Sequence, residues 1–160
     1  MNFADINGIS IHFNYINNGA NKPTVVFSNS LGTDFRIWES CIENLSKDYS
    51  ILTYDKRGHG LSGLGNSPYV INDHVTDLID LMDHLKISEA VLVGLSVGGL
   101  VVQGVYHKRP DLVQGLILCD TAAKIGNEQM WNDRIDIARD GGLEALVEGN
   151  MQRWFSSNFH

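Results

Sequence analysis

Apolar residues recur along this chain at two spacings, and the alternation between them sets the expected fold class. Residues 9–16 alternate apolar with polar positions, putting Ile9, Ile11, Phe13 and Tyr15 on one face of a half-buried strand. Asn17-Asn18-Gly19-Ala20-Asn21 carries turn chemistry. Thr24-Val25-Val26-Phe27-Ser28 is continuous and apolar, as in a strand covered on both faces, and Ser50-Ile51-Leu52-Thr53-Tyr54 reads the same way. A helix is predicted between them, over Trp38 to Leu45. Residues 57–68 form a glycine-rich loop. Asn72 reads as the N-cap of a helix that carries Val75, Leu78, Ile79, Met82 and Leu85 at helical spacing. A strand over Glu89 to Val93, a helix over Ser96 to Lys108 and a strand over Leu112 to Cys119 follow. Strands alternating with helices require right-handed crossovers, so the predicted class is α/β, with a doubly wound, mostly parallel sheet.

The pattern changes after Asp120. Asn127 to Arg139 has Met130, Trp131, Ile135, Ile137 and Ala138 at helical intervals, Gly141-Gly142 interrupts it, and Leu143 to Val147 opens another short helix before the aromatic pair Trp154-Phe155. No strand is predicted there. The expected organisation is a core over residues 1–122 and the beginning of a helical cap over residues 123–160.

Charge and composition narrow the function. With 19 Asp and Glu against 12 Lys and Arg, the net charge is −7, and no basic stripe is available to neutralise phosphates, so nucleic acid is not an expected partner. No apolar run has the length of a membrane span. The stretch Met1-Asn2-Phe3-Ala4-Asp5 has neither a basic nor an apolar leader region. Cys41 and Cys119 stand alone, without metal-ligand spacing, and read as reduced packed thiols. A cytoplasmic protein needing no metal or cofactor is expected.

The candidate chemistry centres on Ser96, in Val91-Leu92-Val93-Gly94-Leu95-Ser96-Val97-Gly98-Gly99. A β-type run turns directly into a helix at a G-x-S-x-G motif, the context in which a serine is held on a strained turn with its hydroxyl raised above the strand ends. Gly94 and Gly98 are expected where a Cβ would crowd that turn. The helix N-terminus puts the Val97 N–H beside the serine as one donor to a developing oxyanion. The second donor is expected from Ser28-Asn29-Ser30-Leu31-Gly32-Thr33-Asp34, as the N–H of Leu31, with Gly32 bending the chain; the alternative is that Asn29-Ser30 merely caps the next helix.

Asp55 and Arg57, in Asp55-Lys56-Arg57-Gly58-His59-Gly60-Leu61-Ser62, are expected to form a buried ion pair supporting the site. His59 lies between two glycines, poorly oriented for a base, and reads as a supporting histidine. His12 is expected on the outward face of its strand, His74 and His84 on a solvated helix face. His107 suits the C-terminal dipole of its helix but lies roughly 16 Å from Ser96 along it. His160 is terminal. Asp120 ends a strand and is either an acid that orients a base or a cap for the next segment.

Three segments together resemble the α/β-hydrolase fold family: Ser28 to Thr33, Asp55-x-Arg57-Gly58-x-Gly60-x-Ser62, and the elbow Gly94 to Gly98. More narrowly, Ser28-Asn29-Ser30-Leu31-Gly32-Thr33-Asp34 with Trp38, Tyr54-Asp55-x-Arg57-Gly58-His59-Gly60-x-Ser62, and Thr121-Ala122-Ala123-Lys124-Ile125-Gly126 resemble the 3-oxoadipate enol-lactonases. That resemblance implies cofactor-free hydrolysis of a small anionic lactone or ester, in the breakdown of aromatic compounds. It also implies a longer chain whose catalytic Asp and His follow the cap. These 160 residues are therefore expected to be the N-terminal portion, without the last core strands, and an unpaired sheet edge would favour self-association. Arg134 beside Trp131 is the candidate to hold an anionic substrate, the alternative being cap packing. A general esterase on the same fold, a non-catalytic ligand sensor and an inert fragment are the competing readings.

Overall fold

A computed structural model describes residues 2–19 and 21–159, so Ala20 of the first turn and the terminal His160 lie outside the described residues. The chain divides into two compact units, Met1–Lys124 and Ile125–His160. The first holds strands β1 (Asn2–Ile6), β2 (Ile9–Ile16), β3 (Thr24–Ser28), β4 (Ser50–Tyr54), β5 (Ala90–Leu95) and β6 (Val113–Cys119). Its helices are α1 (Glu39–Leu45), α2 (Ile71–His84) and α3 (Val97–Lys108). The sheet runs β1-β2-β4-β3-β5-β6. The β4–β3, β3–β5 and β5–β6 pairings are parallel, while β1 and β2 form an antiparallel edge.

Strand period explains why helices cover both faces. Successive side chains point to opposite sides, so Val26, Leu52 and Leu92 feed a core with Leu78, Leu81, Met82 and Val101 of α2 and α3. Val25, Phe27, Ile51 and Val93 point the other way and pack with Trp38 and, less deeply, Cys41, Ile42 and Leu45 of α1. Each fully buried aliphatic side chain contributes about 1.5–3 kcal/mol of transfer free energy. Both cysteines are free and half-buried.

β3 and β4 coincide with the covered runs read from the sequence. Other boundaries shift. β1 was not predicted. Phe35–Trp38 forms a 3₁₀ turn, so α1 begins at Glu39, and Pro110–Leu112 forms another just before β6. Asn72 is not the cap of α2: the helix starts at Ile71, with Val70 preceding it. The Asp73 carboxylate accepts from the Val70 N–H at 2.8 Å, so an acid in the first turn supplies the bond that was expected from a cap residue.

The Asp55–Arg57 pair also does not form. Arg57 reaches α2, donating from Nε and Nη2 to the two oxygens of Asp77 at 2.7 Å each. Asp77 further accepts from the Asn7 side chain at 3.0 Å. The Arg57 side chain is 11% exposed and that of Asp77 2%, so the pair is largely desolvated and removing one member strands the other.

The second unit contains α4 (Glu128–Gly141) and α5 (Val147–Trp154), joined by a 3₁₀ turn over Leu143–Leu146. Asn127 caps α4 by accepting the Met130 N–H at 2.9 Å. Gly142, at φ 72°, ends the helix in a conformation that favours glycine. Among the described residues no helix is long and apolar enough to cross a membrane.

Asp77→Ala should lower the unfolding free energy by about 3 kcal/mol in urea titrations. A loss below about 1 kcal/mol would show that the Arg57 pair does not hold the 55–70 loop to α2.

Candidate active site

The carboxyl ends of the parallel strands bring the sequence-predicted residues to one edge of the sheet. Ser28 is paired with Gly94, and Leu95 with Cys119. The segment after Ser28, the loop after Tyr54, Ser96 and Asp120 therefore all leave the sheet at that edge, where open parallel sheets bind ligands.

Ser96 joins β5 to α3 with φ 53° and ψ −117°, a backbone state that a residue with a side chain rarely adopts. Three hydrogen bonds hold it there. Its N–H donates to the Cys119 carbonyl at 2.9 Å. Its carbonyl accepts the Gly99 N–H at 2.9 Å and the Thr121 hydroxyl at 2.7 Å. A Cβ on Gly94 would come within 2.5 Å of the Gly98 carbonyl oxygen, and one on Gly98 would overlap the Ser28 carbonyl. The half-buried Ser96 has its backbone saturated, and its hydroxyl makes no hydrogen bond among the described residues.

The segment at Leu31 is built from below. Gly32 adopts φ 75°, supplying the expected bend. The Asn29 amide donates to the carbonyl and hydroxyl of Thr33, the latter at 3.2 Å. The Ser28 hydroxyl meets the buried Tyr54 hydroxyl at 3.1 Å; burial pushes the Tyr54 phenol above its ordinary value, so it stays neutral. The N–H groups of Leu31 and Val97 have no acceptor among the described residues.

Asp55 organises the neighbouring segments without Arg57. Its carboxylate accepts from His12 Nδ1 at 2.8 Å and from the N–H groups of Phe35 and Leu61 at 3.0 Å each. A Cβ on Gly60 would overlap this carboxylate. His12 is therefore not on a solvated outer face: it is buried, between the rings of Phe3 and Phe35 at 5.0 and 4.9 Å. His12 and Asp55 line an open cleft of about 710 Å³ with Asp34, Arg36 and Leu61, and Ser96 is not among its lining residues.

The other histidines are placed as follows. His59 Nδ1 donates to the Arg57 carbonyl at 3.0 Å; burial first, then Lys56, holds its pKa below the usual imidazole value. His74 is buried rather than solvated, with Nδ1 unpartnered, and burial pushes it down to about 4, Lys56 adding to the effect. His84 and His107 are exposed in the last turns of α2 and α3. Asp120 is exposed, with φ 43°. None of the described histidines bonds to Ser96 or Asp120. Among the described residues no group of three or more His, Cys, Asp or Glu could hold a metal.

In the second unit, the Trp131 indole N–H donates to the Ile125 carbonyl at 2.8 Å, and Arg134 Nη2 donates to Asn150 at 2.8 Å. Burial first, then Arg153, pulls the Arg134 pKa below its ordinary value. The residue that sequence reasoning missed is Lys56. It is buried, and its Nζ donates to the Asn29 carbonyl at 2.6 Å and the Ser30 carbonyl at 3.2 Å. It lies two residues past the end of β4, where no local pattern in the sequence marks it.

Residues 23–156 match the family model of the alpha/beta hydrolase fold, and the chain belongs to that family. It is 39% identical over 150 residues to 3-oxoadipate enol-lactonase 2 of Acinetobacter baylyi, covering 93% of this chain and 56% of the relative. It is 36% identical over 144 residues to 3-oxoadipate enol-lactonase 1 of the same organism, covering 90% and 54%. The crystal structure of the enol-lactonase from Burkholderia xenovorans superposes with a TM-score of 0.94 at 38% identity, covering 99% of this chain and 61% of that one. The chain thus spans little more than half the length of the curated relatives it matches.

Protonating buried His74 on acidification costs free energy that the unfolded chain does not incur. Its contribution to stability is complete above the unfolded pKa of 6.5 and is lost as pH falls toward about 4. Urea midpoints of His74→Leu should accordingly fall less between neutral and mildly acidic pH than those of the parent. Parallel pH profiles for the two would contradict the burial argument.

Proposed function

We propose that this chain is the nucleophile-bearing portion of a serine hydrolase that opens 3-oxoadipate enol-lactone or a close analogue. The observation that carries the reading is the strained Ser96, fixed at the carboxyl ends of the parallel strands, where the N–H groups of Leu31 and Val97 have no acceptor among the described residues. Similarity to named enol-lactonases supports the substrate class.

On this reading, Ser96 Oγ attacks the lactone carbonyl, and the developing oxyanion accepts from the N–H groups of Val97 and Leu31. Ring opening releases the enol oxygen, which takes a proton and tautomerises to the ketone, leaving the acyl group on Ser96. Water then frees it as a carboxylate. Gly94 and Gly98 keep the elbow tight, Asp55 fixes the adjoining loops, and Arg57 anchors one of them to α2.

A base must take the serine proton, and no described histidine bonds to Ser96. The reading therefore assigns the base and its orienting acid to residues beyond these 160. Loss of a triad member costs about 10⁴-fold or more in kcat, so this chain alone should hydrolyse esters barely above background. Acylation is the sharper test. Incubation with p-nitrophenyl acetate and peptide mapping should place the acetyl group on Ser96 ahead of the other serines, with loss of that adduct in Ser96→Ala. Labelling spread evenly over surface serines would refute the assignment.

A further inference from the structure

We propose that Lys56 is a positioning residue for the oxyanion site: by donating to the backbone carbonyls of Asn29 and Ser30 it turns the Leu31 N–H outward and strengthens it as a donor. The inference rests on the reading of Leu31 as an oxyanion donor and adds a group that acts through it.

The Ser30 carbonyl and the Leu31 N–H belong to one peptide unit. In a trans peptide the two point in opposite directions. The Ser30 carbonyl is fixed from two sides, by Lys56 Nζ at 3.2 Å and by the Thr33 hydroxyl at 3.1 Å. The Leu31 N–H is thereby directed away from the lysine, and it finds no acceptor among the described residues. The Asn29 carbonyl, at 2.6 Å from Nζ, anchors the preceding peptide at the same point. The lysine is about 1% exposed, so its reach is fixed by packing.

A charge-assisted bond to a carbonyl is stronger than a neutral one, and it polarises the whole peptide group, making the attached N–H a better donor. Burial pushes Lys56 down to about 7, with the neighbouring Asp55 favouring the charged form. His59, from the same loop, and His74, from α2, also face this charge, and Lys56 disfavours protonation of both. The protonation state of one buried amine thus sets the donor strength of the Leu31 peptide near neutral pH.

The test is a pH titration of the chain by NMR, following the Ser30 carbonyl carbon and the Leu31 amide nitrogen. Both should follow one titration centred near the Lys56 value of about 7, above those of His59 and His74. Lys56→Met should abolish it. Thr33→Val, which leaves Lys56 as the remaining side-chain donor to the Ser30 carbonyl, should keep the titration and enlarge its amplitude. If Lys56→Met does not fold, the parent and Thr33→Val decide. A Leu31 resonance that ignores pH in both, or that titrates unchanged in Lys56→Met, overturns the role. Failure of Ser96 acylation with the Leu31 titration intact would instead overturn the hydrolase reading, and with it the oxyanion role, while leaving the effect of Lys56 on the Leu31 peptide standing.

Discussion

The first turn of α3 lies directly on the backbone of Ser28 and Asn29, and position 98 in that turn has no room for a Cβ. Everything proposed for the edge of the sheet depends on this approach. β5 must end one residue past its pairing with Ser28, the chain must reverse within Ser96, and the helix must settle on the neighbouring strand's last carbonyl. The strain at Ser96 costs of order 1–3 kcal/mol. Two backbone hydrogen bonds, a third from the Thr121 hydroxyl, and the packing of α3 against β5 and α2 offset it. The same close approach sets the elbow beside the segment that carries Leu31.

Around that contact the polar groups are arranged so that buried charges act on backbone. Asp55 receives two peptide N–H groups and His12, drawing β2, the 34–38 turn and the 55–62 loop together. Lys56, the next residue, faces the other way and binds two peptide carbonyls. One strand end thus supplies an acceptor to one loop and a donor to another. Only Arg57, the third in the series, pairs with an opposite charge, and it does so on α2. Burying an ion without such partners would cost several kcal/mol, so each of the three specifies where its loop lies.

Much of this was legible in the residues because the signals were local. Continuous apolar runs gave β3 and β4 their bounds, and the strand-to-helix switch around Gly94 and Gly98 located the elbow. The misreadings share a different cause. Alternation at His12 assumes that the second face of a half-buried strand meets water, but Phe3, Phe35 and Asp55 cover it. Asp55 and Arg57 are close in sequence, yet the guanidinium reaches Asp77, twenty residues on, because Asp55 is already occupied by backbone donors. Asn72 has the chemistry of a cap, but Asp73 bonds the Val70 N–H and starts the helix earlier. Lys56 looks like any lysine after a strand. Its burial depends on where residues 29 and 30 pass, which no local pattern records.

The most direct test of the central contact is Gly98→Ala, measured by urea unfolding together with backbone amide resonances. Forcing a Cβ against the Ser28 carbonyl should cost at least about 2 kcal/mol and displace the resonances of residues 29–32 as well as those of 94–99. Native stability with residues 29–32 unmoved would contradict the account, because the elbow and the Leu31 segment would then not be held by one another.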